Sequence, residues 1–135
     1  MTVGMDVDER AVDRVRSLAA STPALRMLIL FGSRARGDAW ARSDWDLAYV
    51  GDPGFDADGL LSRLATVLAA DRIDLVDLER AGGQLRFRVA RDGRVLHVDD
   101  ETRFERFWFD AVSFWCDAEP IVRRGYDDLL AELQR

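Results

Sequence analysis

Gly32-Ser33, ten intervening residues and then Asp44-x-Asp46 constrain this chain more than any other feature of its sequence. At average residue frequencies, such a pair of doublets at one fixed distance arises by chance in 135 residues roughly once in a thousand. The flanking pattern strengthens the signal. LRMLILF, Leu25 to Phe31, is an apolar run ended by Gly32 and reads as a buried strand. SDWDLAYV alternates, with Trp45, Leu47 and Tyr49 on one face and Asp44, Asp46 and Ala48 on the other, and reads as a second strand. The Gly-Ser therefore follows one strand, and both aspartates lie on the next.

Spacing i, i+2 on a strand points both carboxylates to one face. Two anions so close repel unless a cation lies between them, and hard oxygen donors of this kind suit Mg²⁺ shared with substrate phosphates. Gly32 lets the backbone approach a phosphate, and Ser33 adds a hydroxyl donor. Arg36 or Arg34 would neutralise further negative charge, and Ser43 either touches phosphate or ends the loop. The chemistry expected is phosphoryl-type transfer driven by positioning and electrostatics. A two-metal site needs a further carboxylate near the acceptor, and Asp74 is the best candidate for metal ligand and proton acceptor. Alternation puts its competitor, Asp77, on the opposite strand face.

The remaining segments supply a frame. Val12, Val15, Leu18 and Ala19 recur at helical spacing between about Asp8 and Ala20, and Pro23 ends the pattern. Leu60, Leu61, Leu64, Val67 and Leu68 form an amphipathic helix after the GDPG turn, and RIDLVDL, Arg72 to Leu78, reads as a third strand. QLRFRVAR suits a short helix, RVLHVD from Arg94 to Asp99 a last strand, and about 101–134 a C-terminal helix that Pro120 kinks or restarts. The expectation is one α/β (α+β) domain spanning 1–135, with a sheet of about four strands flanked by helices.

Nineteen basic against twenty-five acidic side chains give a formal charge of −6, so polymeric nucleic acid is an unfavourable partner while one triphosphate can still be held by local arginines. With one cysteine there is no intrachain disulfide, and no secretory leader or apolar span is evident, so the cytoplasm is expected.

GSRARGDAWARSDWDL, followed about thirty residues on by IDLVDL, closely resembles the minimal nucleotidyltransferase family of the DNA polymerase beta-like superfamily. The segment LRFRVARDGRVLH is similar to that family's helix, glycine, strand ending. The resemblance implies a mixed sheet flanked by helices, Mg²⁺ and ATP as ligands, and a role as antitoxin to a HEPN-domain ribonuclease, with AMP transferred to a tyrosine hydroxyl of the toxin. On that reading Gly32 and Ser33 match the triphosphate-binding pair, Asp44 and Asp46 the metal ligands, and Asp74 the third carboxylate. Two rivals stand beside it: an antitoxin that only masks its toxin through the C-terminal helix, and a nucleotidyltransferase acting on a small molecule.

Seven of the thirteen aromatic residues fall between Phe104 and Tyr126. Phe104, Trp108, Trp115, Val122 and Tyr126 are expected to form one core-facing stripe, with Phe107, Phe109 and Phe114 off it, as packing or as a partner or homo-oligomer surface. His97 reads as a structural or surface residue and Cys116 as a small buried apolar one.

Overall fold

The run Leu25–Phe31 forms strand β1, and it is buried on both faces because it is apolar at nearly every position. A computed structural model describes residues 3–37 and 44–116, together with 128 and 131. Helix α1 (Val3–Ala20) precedes β1, and a short helix α2 (Ser33–Arg36) follows it. Then come β2 (Trp45–Gly51), α3 (Ala57–Leu68), β3 (Ile73–Asp77), α4 (Gly83–Asp92), β4 (Arg94–Val98) and α5 (Glu101–Cys116).

The strands make one mixed sheet in the order β3-β2-β1-β4, with β1 antiparallel to β2 and β4, and β2 parallel to β3. Strand alternation divides the core. Leu25, Leu28 and Leu30 of β1 join Trp45, Leu47 and Leu96 against Val12, Val15 and Ala19 of α1 and Leu60 and Leu64 of α3. Met27, Ile29 and Phe31 join Ala48 and Val50 on the other face, against Val89 and Ala90 of α4 and Phe107 and Ala111 of α5. The result is helices on both sides of a four-stranded sheet, the mixed α/β architecture expected from the sequence. No helix among the described residues is long and apolar enough to cross a membrane.

Local chemistry sets several boundaries. Asp56 caps α3 by accepting from the Gly59 amide at 2.9 Å. Gly93 joins α4 to β4 without a loop: a side chain there would sit 2.6 Å from Ile29 Cγ2 and against the Val89 carbonyl. His97 has a structural position, with Nε2 3.3 Å from the Leu25 carbonyl oxygen.

Two expectations about the C-terminal helix need correction. Its buried stripe is Phe107 and Ala111, flanked by partly buried Phe104 and by Trp115, which stacks on Phe87 of α4 with ring centroids 5.2 Å apart as a core-facing residue should, whereas Trp108 is 44% exposed. Spacings of i, i+3 and i, i+4 are both helical, and contact with α4 and the sheet selects the first. Phe109 and Phe114 lie exposed, as expected of residues off the stripe. Cys116 is exposed rather than buried, because it lies on the side of α5 away from Phe107 and Ala111. Pro120, Val122 and Tyr126, and the rest of the helix expected to 134, lie outside the described residues apart from Asp128 and Ala131, which are helical.

The corrected stripe has a thermodynamic consequence. Phe107→Ala should lower unfolding free energy by about 3–5 kcal/mol, while Phe109→Ala should change it by about 0.5 kcal/mol or less. Urea unfolding of the two variants checks this, and equal losses would contradict the orientation of α5.

Candidate active site

The two strands that carry the aspartates are held in register by backbone bonds, so their side chains are placed by the sheet and not by loops. The Trp45 amide donates to the Arg72 carbonyl at 3.0 Å, which aligns the start of β2 with the start of β3. In the parallel ladder that follows, Asp46 stands directly opposite Asp74. Neighbouring strands run about 4.8 Å apart. Both residues face the α4 side, since Ala48 and Val76, two positions on from each, pack into that half of the core. Asp77 pairs with Tyr49 in the same ladder and lies on the α1–α3 face, away from Asp74.

Asp44 lies one residue before β2 and is exposed, with its carboxylate 4.0 Å from Arg72 Nη1. On its other flank Asp46 pairs with Phe31 of β1, which brings Gly32 alongside. Gly32 adopts φ +75°, and an added Cβ would collide with the Asp46 carboxylate and lie 3.1 Å from its Cγ. Glycine is required here twice, for the left-handed backbone and for the close approach. The chain then turns at once into α2, where the amides of Ala35 and Arg36 both donate to the Gly32 carbonyl, at 3.1 and 3.2 Å. Ser33 is thereby set immediately beside the point where Gly32 meets Asp46.

The structure thus gathers Gly32, Ser33, Asp44, Asp46 and Asp74 at one end of β1, β2 and β3. Arg36 is close enough for its charge to act on the Asp46 carboxyl, whereas the Arg34 guanidinium lies over the Trp45 ring, 4.2 Å from its centroid. Ser43 lies outside the described residues. Sequence reasoning missed Arg88 of α4, whose charge also acts on Asp46, and Arg72 beside Asp44. The signal for Arg88 was its place on the polar side of QLRFRVAR, but nothing in that segment says which sheet face the helix covers.

Asp46 carries the electrostatic signature of the site. Burial pushes its carboxyl above the ordinary aspartate range, and the negative charges of Asp74 and Asp44 push it further, against Arg88 and Arg36. Among the described residues no three Asp, Glu, His or Cys side chains converge closely enough to enclose a metal ion. Asp44, Asp46 and Asp74 nonetheless share one end of the paired strands β2 and β3, and an all-carboxylate donor set is the type that hard divalent cations select.

The sign of the Asp46 shift makes a prediction. A raised carboxyl binds more protons in the folded chain than in the unfolded one, where its pKa is about 3.9. Stability is therefore lost as pH rises from that value through the folded pKa, and the full penalty stands above it. Asp46→Asn should melt at a higher temperature than the native chain at pH 7.5 with chelator, and the difference should shrink toward pH 4. Thermal melts across that range check it; a gap that widened on acidification would reverse the assignment.

With this geometry in hand, comparison with known proteins is informative. The chain is 35% identical over 131 residues to protein adenylyltransferase MntA of Aphanizomenon flos-aquae (strain 2012/KM1/D3), with 87% of each chain covered. A chain from a crystal structure of a toxin–antitoxin with AMP-PNP superposes with a TM-score of 0.70 at 27% identity, covering 88% of this chain and 98% of that one. A chain from the complex of tri-AMPylated Shewanella oneidensis HEPN toxin with MNT antitoxin gives 0.66 at 24% identity, covering 91% and 98%, a likeness of fold. Residues 13–102 match the family described as Polymerase beta, Nucleotidyltransferase, and the strand pair bearing Asp46 and Asp74 lies within that span. The chain belongs to the polymerase beta nucleotidyltransferase family.

Proposed function

We propose that this chain, acting as one nucleotidyltransferase domain, transfers AMP from Mg²⁺-ATP to a hydroxyl on a partner protein, in the role of an antitoxin modifying a tyrosine of its HEPN-type toxin. The observation that carries the reading is the pairing of Asp46 with Asp74 beside Gly32, in a chain 35% identical to a protein adenylyltransferase. The likeness to a toxin–antitoxin chain crystallised with AMP-PNP supports both the nucleotide and the kind of partner.

Each residue then has a task. Asp44 and Asp46 are the ligands of a divalent cation and Asp74 of a second. When bound, Mg²⁺ offsets the carboxylate and phosphate charges that otherwise repel one another. Gly32 and Ser33 border the phosphates, where the absence of a side chain at Gly32 lets the backbone approach, and Arg36 adds positive charge. Ser43, at the entrance to β2 in sequence, is proposed as a further phosphate contact. Asp74, exposed on an edge strand, is open to an acceptor arriving from outside the chain. The acceptor oxygen attacks the α-phosphorus and the bond to the bridging oxygen of the β-phosphate breaks. Pyrophosphate leaves, and the hydroxyl proton passes to the Asp74 carboxylate.

A second reading is favoured by Trp108, Phe109 and Phe114, large side chains that α5 leaves exposed. They suit a surface that masks the toxin without modifying it.

Intact mass of the toxin after incubation with the chain, Mg²⁺ and ATP separates these readings. Transfer predicts a gain of one or more AMP units, lost by at least about a hundredfold in rate in Asp44→Asn/Asp46→Asn and in Asp74→Asn. Full neutralisation of the toxin by the double variant, with no mass gain, would leave masking as the mechanism. In that case Trp108→Ser/Phe109→Ser should abolish the complex.

A further inference from the structure

We propose that Arg88 is a phosphate-binding residue of the nucleotide site, holding the triphosphate from α4 while Arg36 approaches it from α2. This rests on the nucleotidyltransferase reading above and extends it to a residue outside the Gly-Ser and Asp-x-Asp pattern.

The placement of α4 makes the case. The helix lies on the sheet face that bears Asp46 and Asp74, where Val89 and Ala90 pack with Met27, Ile29, Phe31 and Ala48. Phe87, Val89 and Ala90 are buried, which fixes the rotation of the helix and leaves Arg88 exposed between them. Arg86 is occupied elsewhere, donating to the Leu78 carbonyl and lying 5.0 Å over the Phe107 ring. Arg91 is held by Asp92 through two hydrogen bonds of 3.0 and 2.9 Å. Arg88 makes no ion pair or hydrogen bond with any described residue. Its guanidinium is near enough to act on the carboxyls of Asp46 and Asp92, as is that of Arg36, so two guanidiniums from separate elements share one locality above the strand ends.

An arginine that served only to balance Asp46 would be expected to close on it in a bidentate pair, as Arg26 does on Asp52 at 2.8 and 2.7 Å. Arg88 keeps its planar fork of donors open instead, and that geometry matches phosphate oxygens. A triphosphate brings several negative charges to a site already carrying three carboxylates, so a guanidinium with no ion pair or hydrogen bond among the described residues is well placed to receive them.

Direct binding of α,β-methylene-ATP, whose bridge resists cleavage, tests this with Mg²⁺ present and without turnover. Arg88→Ala should weaken the analogue about tenfold or more and leave AMP binding unchanged. Arg88→Lys should fall between, since it keeps the charge and loses the fork. Analogue affinity within about twofold of native in Arg88→Ala would overturn the proposal, as would equal weakening of AMP and the analogue. A native chain that binds no nucleotide would remove the transferase reading and this inference together. A native chain that binds the analogue no better than Arg88→Ala does would remove this inference alone.

Discussion

Asp46 and Asp74 stand side by side on parallel strands, and their mutual repulsion has to be outweighed by packing elsewhere. The counterweight is β1. It lies between β2 and β4, and its side chains alternate into both halves of the core, so Leu28 and Leu30 anchor α1 and α3 while Ile29 and Phe31 anchor α4 and α5. Hydrophobic burial at these positions is worth roughly 1.5–3 kcal/mol per large side chain. A strained cluster of like charges is tolerable only at the margin of such a core, and that is where it lies.

The same arrangement explains why glycine follows β1. Phe31 closes the α4 face of the core and pairs with Asp46, and the next residue has to reverse direction within contact of that carboxylate. Only a residue without a side chain satisfies both demands at Gly32. Fold and site therefore meet at a single peptide: the end of the most buried strand is also where the backbone at Gly32 comes close against the central aspartate.

Much of this was legible in the sequence because it depends on period two. The apolar run Leu25–Phe31 and the alternation of Trp45, Leu47 and Tyr49 against Asp46 and Ala48 place the strands and the carboxylates without reference to anything distant. The opposite faces of Asp74 and Asp77 follow from the same rule. What was not legible depends on which element lies on which face. Strand order, the position of Arg88 over Asp46, and the choice of Phe107 over Trp108 as the buried aromatic all require knowing that α4 and α5 pack together on one side. In α5 the ambiguity was intrinsic, because aromatic residues occupy several helical faces and hydrophobicity alone cannot rank them.

β3 is one of the two outer strands of the sheet, with β4 at the opposite edge, and it is paired on one side only among the described residues. An unpaired strand edge is an invitation to a further strand, whether from a neighbouring copy or from a misfolding chain. This one is short, five residues, and begins after Arg72 with Asp74 and Asp77 within it. Charges so placed make intermolecular sheet extension unfavourable, because each copy would set its carboxylates against those of the next. The aspartate proposed to accept a proton thus also guards this edge of the sheet against strand addition from a second copy.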